Sequence, residues 1–106
     1  MKTDRELLEL AAKAAGIKVR IWEGHTGVMC AIDDDRHGSM WMPLTDDGDA
    51  LRLAVKLGML VDVTSHSTVT IVNGYISHKE KHNGDQHTAT RRAIVRAAAA
   101  IGEGMK

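Results

Sequence analysis

The 106-residue sequence has no surplus of either charge. It contains 14 lysines and arginines and 14 aspartates and glutamates, so its formal net charge at pH 7 is zero. Proteins that hold nucleic acid through bulk electrostatics need a basic excess, and this composition argues against that class. The sequence also lacks an apolar run of about 18 residues and a charged-then-apolar leader, so we expect neither a membrane span nor a signal peptide.

Cysteine and aromatic residues are scarce. The single cysteine, Cys30, cannot form an internal disulfide, and its apolar neighbours predict a buried structural thiol. Phenylalanine is absent, and Trp22, Trp41 and Tyr75 are the aromatic residues, so alanine and methionine must fill much of the core. We expect Trp41, which comes just before Pro43, in the core or as a hairpin anchor. Trp22 alternates with basic residues and is expected on the surface.

Three segments carry the signals of helices. Thr3 and Glu6 form a capping-box pattern at the start of the first helix, and Gly16 has the position of a C-terminal cap. A polar stripe at spacings of three and four predicts a second helix from about Asp47 to Leu57. Apolar residues on one side predict the last helix, from about Thr88 to Ile101.

Between these helices, alternating apolar and polar residues predict short strands. The predicted strands are Ile17–Trp22, Val28–Ile32, Leu60–Thr64 and Thr68–Val72, with short additions at Ser39–Met42 and Tyr75–His78. A solvated loop is expected at Asp33–Gly38, and a tight turn at Asn73–Gly74. The order of elements indicates one α+β domain over residues 1–106, with three helices and a mainly antiparallel sheet of four to six strands, in the order α-β-β-(β)-α-β-β-(β)-α.

The alternation along the strands predicts one covered and one open face of this sheet. The residues expected on the covered face include Val61, Val63, Val69 and Ile71. Those expected on the open face are Lys18, Arg20, Trp22, Asp62, Thr64, Thr68 and Thr70. Any half-solvated sheet has this composition, and so does a surface that stacks a base or seals a dimer.

No motif in the sequence predicts catalysis or a bound metal. His78 and His82 are four residues apart with His87 nearby, but no cysteine or carboxylate completes a recognised metal-ligand spacing. The aspartate run from Asp33 to Asp35 lacks the remaining ligands of a calcium loop. The spacing shows no catalytic triad, phosphate-binding glycine loop or dinucleotide fingerprint. We therefore expect no metal, no cofactor and no enzymatic activity.

The last predicted helix begins with arginines, although the dipole at a helix start disfavours positive charge. Arg91 and Arg92 lie in its first turn, and Arg96 lies one turn after Arg92 on the same stripe. One interpretation is internal pairing with an aspartate, for which the candidates are Asp46, Asp47 and Asp85. The other is that a bound phosphate or an acidic partner surface neutralises the arginines.

Three stretches of the sequence resemble a group of small proteins encoded by tailed phages and prophages. The central stretch, Trp41 to Leu57, reads Trp-Met-Pro-Leu-Thr-Asp-Asp-Gly-Asp-Ala-Leu-Arg-Leu-Ala-Val-Lys-Leu. With the opening segment from Thr3 to Gly16 and the closing segment from Ala89 to Ala98, the resemblance covers almost the whole chain. More distantly, the sequence is similar to phage ABA-sandwich-domain and NinX-like proteins. That name implies helices on both faces of a sheet, and a dimer could cover the predicted open face instead.

The resemblance implies a phage accessory protein that acts in the cytoplasm of a bacterial host. Small phage proteins of this kind commonly act against host defence, and one mode is to bind a nucleotide immune signal and hold it without chemistry. We therefore expect a homo-oligomeric protein that sequesters a small nucleotide-type ligand. The alternative is an interaction module that blocks or redirects a host protein through the open sheet face.

These two hypotheses predict different surfaces. Sequestration of a nucleotide needs arginines and a tryptophan in a concave site, whereas an interaction module exposes an apolar patch. The candidate ligand-binding residues are Arg91, Arg92, Arg96, Trp22, Trp41, Asp46 and Asp47. In this assignment the arginines hold phosphates, Trp22 stacks a base, and the aspartates accept hydrogen bonds from ribose or base.

Overall fold

The computed structural model describes residues 2–33, 38–72 and 75–105. Within these residues the helices are α1 (Asp4–Ala15), α2 (Asp47–Lys56) and α3 (Gln86–Glu103), and the strands are β1 (Val19–Gly24), β2 (Gly27–Ile32), β3 (Leu60–Val63), β4 (Ser67–Val72) and β5 (Tyr75–Lys81). The predicted α+β class and the order of its elements are confirmed. Most of the predicted loop between β2 and α2 (residues 34–37) and the predicted Asn73–Gly74 turn lie outside the described residues.

The strands form two antiparallel sheets rather than one. β1 and β2 make a two-stranded hairpin, and β3, β4 and β5 follow one another in a three-stranded sheet. The predicted short strand at Ser39–Met42 is reduced to a single bridge between Met40 and Ala31. Because α2 follows this bridge, the chain leaves the hairpin before the second sheet begins, and in the described residues no strand pairing joins the two sheets.

Local capping interactions set the helix bounds. The Thr3 hydroxyl accepts a hydrogen bond from the Glu6 backbone amide, and the Glu6 carboxylate accepts one from the Thr3 backbone amide, so α1 has the predicted capping box. Gly16 ends α1 with a φ of 70°, and the Ile17 amide donates back to the helix, so β1 starts at Val19 rather than Ile17. Asp85 accepts from the Thr88 amide, and α3 therefore begins at Gln86, two residues before the predicted start.

The core is centred on the contact between α1 and α3. Alanine supplies much of the buried surface of both helices, which allows their backbones to approach closely. Cys30 and Trp41 join this core from the hairpin and the segment before α2, and Leu53 joins it from α2. In the described part of the chain, no helix is long and apolar enough to cross a membrane.

The predicted exposure of Thr68 and Thr70 is wrong. Both residues are fully buried, because β4 turns this side towards α3. The Thr68 hydroxyl lies 2.7 Å from the Thr90 hydroxyl and 2.9 Å from His82 Nε2. The Thr70 hydroxyl lies within donating distance of two backbone carbonyls, that of His78 at 3.3 Å and that of Ala93 at 3.4 Å. These hydrogen bonds offset the free-energy cost of burying the two hydroxyl groups.

The strand register also places the three valines and one isoleucine that we expected on one face on two different faces of the sheet. Val61 lies opposite Thr70 and Val63 lies opposite Thr68, so these two valines share the α3 side of the sheet with the threonines. Val69 and Ile71 belong to the other parity of β4 and lie on the opposite face.

Candidate functional site

Arg91 is bound within the fold and has little freedom to bind anything else. Its Nε donates to the Leu44 carbonyl at 2.9 Å, one terminal nitrogen donates to Asp47 at 2.5 Å, and the other donates to the Thr88 hydroxyl at 3.1 Å. Its side chain is only 15% exposed. The hydrogen bond from Arg91 holds the pKa of the Asp47 carboxyl below its ordinary value, and the nearby charges of Arg91 and His87 act in the same direction. Internal pairing therefore accounts for this arginine.

Arg92 and Arg96 are held less completely. Arg92 donates to Asp4 at 2.9 Å, and Arg96 donates to Glu80. Within the described residues, each of these guanidinium groups makes this one hydrogen bond and keeps further N–H donors. Their side chains are 38% and 40% exposed, so these donors remain accessible to solvent or a ligand.

The two arginines line one cavity of about 260 Å³, here called the arginine cavity. Its lining residues are Lys2, Leu7, His78, Arg92, Arg96, Ala100 and Glu103. Three of them are cationic and one is a carboxylate, which forms a 2.7 Å salt bridge with Lys2. The spacing of four residues along α3 places both arginines on the same side of the helix, as the sequence predicted.

His78 adds a polar group to this cavity. Its Nδ1 atom is buried and has no hydrogen-bond partner among the described residues. Burial lowers the pKa of His78, and the positive charge of Arg96 lowers it further, so the imidazole is neutral at pH 7. A neutral imidazole has one donor and one acceptor, and it can therefore hydrogen-bond to a hydroxyl as well as to a phosphate oxygen.

The remaining predicted site residues lie elsewhere. Trp41 is 5% exposed and belongs to the core. Trp22 is 42% exposed on β1, where it lies opposite Met29 of β2 in the two-stranded sheet. Asp46 caps α2 by accepting from the Asp49 amide at 2.8 Å, and it lines an open depression beside Arg52. The structure thus brings together Arg92 and Arg96 from the predicted set, but neither tryptophan lines the cavity with them.

Asp47 and Arg91 border a second concave surface, the apolar groove. It has a volume of about 280 Å³ and lies between α2, β3 and α3. Its lining residues are Asp47, Ala50, Leu51, Val61, Val63, Gln86, His87, Thr90, Arg91 and Ile94. Leu51 and Val63 are 63% and 49% exposed, so large apolar side chains on this surface remain in contact with water.

Two further chemistries have no support in the described residues. Cys30 is fully buried, and burial raises the pKa of its thiol to about 11, so the reactive thiolate is disfavoured. No group of three or more histidine, cysteine, aspartate or glutamate side chains comes together in residues 2–33, 38–72 and 75–105 to hold a metal ion.

Sequence reasoning missed Lys2, His78 and Glu103 as neighbours of the arginines. They come from the start of the chain, from β5 and from the end of α3, and no local pattern indicates that these segments meet. Comparison with known proteins finds no matching family model, no match among curated proteins and no match among solved structures. The resemblance to phage proteins therefore stays a prediction, and the site must be judged on its own geometry.

Proposed function

We propose that the protein binds and sequesters a small phosphate-bearing ligand of the nucleotide type in the arginine cavity, without changing it chemically. The observation that carries the proposal is the pair of partly free guanidinium groups of Arg92 and Arg96 on one wall of a concave site. Guanidinium groups match phosphate oxygens with two parallel hydrogen bonds, which makes arginine well suited to this ligand class.

The existing ion pairs help to position these arginines. Asp4 and Glu80 each hold one guanidinium group through a single hydrogen bond and do not themselves line the cavity. The cavity is therefore lined by all three cationic side chains but by only one of the carboxylates that pair with them, that of Glu103. An anion that enters meets side chains whose rotamers are already restrained, which lowers the entropic cost of binding.

The size and lining of the cavity favour a phosphate with a sugar over a large ligand. Its volume lies just below the range of about 300–1,000 Å³ that is typical of small-molecule sites. Among the lining residues that the structure describes, none is Trp, Tyr or Phe, so the expected stacking of a base on Trp22 has no support here. Recognition would rest on the phosphate, with the neutral His78 available to a ribose hydroxyl.

The sequence resemblance to phage accessory proteins gives this binding activity a biological setting. Holding a phosphate-bearing immune signal would remove it from its receptor, and such a role needs no catalytic group. The alternative, binding of a host protein, has the exposed apolar groove in its favour.

Isothermal titration calorimetry with AMP, ribose 5-phosphate and adenosine tests the proposal. We expect the first two to bind and adenosine, which lacks the phosphate, to bind far more weakly. Hydrogen bonds to charged groups are worth about 1.5–3 kcal/mol each, so Arg92→Gln and Arg96→Gln should each weaken AMP binding by roughly tenfold to a hundredfold. Chromatography should recover the bound AMP unchanged.

Arg20→Gln is the matched control, because it removes the same charge from β1 on the other sheet. It should leave AMP binding as in the wild type, and circular dichroism should show that all variants are folded. The proposal is wrong if neither phosphate ligand binds, if adenosine binds as tightly as AMP, or if the Arg92→Gln, Arg96→Gln double variant binds AMP like the control.

A further inference from the structure

One ion pair lies wholly within the lining of the arginine cavity. The Lys2 ammonium is 2.7 Å from the Glu103 carboxylate, and both residues line the cavity. The carboxylates that pair with Arg92 and Arg96, by contrast, do not line it. Within the described residues, Glu103 is therefore the one carboxylate in the site that we assign to the phosphate, and it already occupies one of the three cations there.

The ion pair between Lys2 and Glu103 is easily broken. Its side chains are 37% and 58% exposed, and exposed ion pairs contribute little to stability because water screens their charges. Glu103 is also the last residue of α3, where the helix dipole disfavours a negative charge. An anion that binds Lys2 more strongly than this carboxylate can therefore displace Glu103 at low cost.

We propose that the phosphate of the ligand replaces the Glu103 carboxylate on Lys2, so that the cavity selects terminal phosphate monoesters over phosphodiesters. This selectivity depends on the function proposed for the cavity and names the ligand class of the same site. Glu103 acts in it as an internal competitor, because an anion must bind Lys2 more strongly than this carboxylate does in order to occupy the cavity.

The charge of the ligand decides this competition. A phosphate monoester has a second pKa of about 6 and carries nearly two negative charges at pH 7.5, whereas a phosphodiester, like a carboxylate, carries one. A diester that replaces Glu103 exchanges one negative charge for another and gains little at Lys2. A monoester brings additional negative charge to Lys2, Arg92 and Arg96, and it therefore displaces the carboxylate with a net gain.

The number of phosphate oxygens points to the same ligand class. A terminal phosphate presents three acceptor oxygens, and three cationic side chains line the cavity, those of Lys2, Arg92 and Arg96. A diester has one acceptor oxygen fewer, because a second substituent takes its place. Besides burial, the charges of Arg96 and Lys2 both lower the pKa of His78, so these two cations lie close to the same imidazole ring.

Isothermal titration calorimetry with AMP and with 3′,5′-cyclic AMP, at pH 7.5 and low ionic strength, tests the proposal. AMP should bind to the wild-type protein at least roughly tenfold more tightly than cyclic AMP, because it makes an additional charged hydrogen bond. Glu103→Gln removes the competitor and should strengthen the binding of both ligands by roughly twofold to fivefold, as expected for an exposed ion pair. Lys2→Gln should weaken AMP binding by roughly tenfold.

Glu9→Gln is the matched control, because Glu9 forms an exposed salt bridge with Arg5 on α1 and does not line the cavity. It should bind both ligands like the wild type, and circular dichroism should show that every variant is folded. The proposal is overturned, while the proposed function stands, if cyclic AMP binds as tightly as AMP or if Glu103→Gln binds AMP no more tightly than Glu9→Gln. If AMP binds to none of these proteins, the proposed function is wrong and the selectivity with it.

Discussion

Gly102 provides a sharp test of how closely α1 and α3 pack. It lies inside α3, where replacing glycine by alanine normally stabilises a helix by about 1 kcal/mol. A Cβ atom at this position, however, would lie 2.0 Å from the carbonyl oxygen of Leu10 and 2.8 Å from its carbonyl carbon. Both atoms belong to the α1 backbone, so no side-chain rotation can relieve the contact.

The size of the overlap sets the expected cost of Gly102→Ala. The two helices must separate locally by about 1 Å or more, and a gap of that size removes a quarter to a half of the dispersion energy between the atoms it parts. Overpacking typically costs about 1–3 kcal/mol, and a backbone clash belongs at the upper end. After subtraction of the helix-propensity gain, we expect the free energy of unfolding to fall by about 2 kcal/mol.

Urea denaturation followed by circular dichroism measures this change, and thermal unfolding should show a decrease in Tm of roughly 10 °C. Gly104→Ala is the matched control, because the nearest atom to its Cβ would be 3.6 Å away and its φ of −80° suits any residue. It should leave stability unchanged or raise it slightly. If Gly102→Ala proves as stable as Gly104→Ala, then α1 and α3 do not approach as closely as described.

Three further predictions follow from capping, burial and titration. Thr3→Ala should lower the free energy of unfolding by about 1 kcal/mol in urea denaturation, because it removes the capping box of α1. Cys30 should react slowly with Ellman's reagent in the native protein and rapidly in urea, since its thiol is buried and has a raised pKa; fast native labelling would contradict this. The folded-state pKa of His78 is lowered, so the unfolded chain binds its proton more readily, and stability should decrease as the pH falls below about 6.5. Denaturation at pH 8, 6.5 and 5.5 should show a smaller decrease for His78→Gln than for the wild type.

Local signals in the sequence predict the helices well. The capping residues Thr3 and Gly16 and the polar stripe of α2 act within a few residues of themselves, so their consequences can be deduced without the rest of the chain. The division of the strands into two sheets could not be deduced in this way. It depends on which strands form hydrogen bonds with one another, and the order of helices and strands along the sequence does not determine this pairing.

Thr68 and Thr70 show why the faces of β4 were assigned wrongly. Counting apolar residues placed the valines inside, because threonine is normally more exposed than valine. The hydroxyl groups of both threonines nevertheless find partners on α3, and Thr68 also contacts His82. Burial of a polar side chain depends on whether a partner lies within hydrogen-bond distance, and these partners are 8 to 23 residues away in the sequence.

The arginines of α3 show the same limit in the candidate site. The prediction that Arg91 and Arg92 lie in the first turn of the last helix is wrong, because α3 begins at Gln86 and all three arginines lie beyond its first turn. Each arginine nevertheless has a negative neighbour: Asp47 for Arg91, Asp4 for Arg92 and Glu80 for Arg96. The two interpretations, internal pairing and ligand binding, are therefore not exclusive. What separates the arginines is the number of donors that remain after pairing, since Arg91 also binds Leu44 and Thr88, whereas Arg92 and Arg96 make one contact each in the described residues. That number follows only from the tertiary contacts, and it is the reason for proposing the arginine cavity, rather than the start of the helix, as the ligand site.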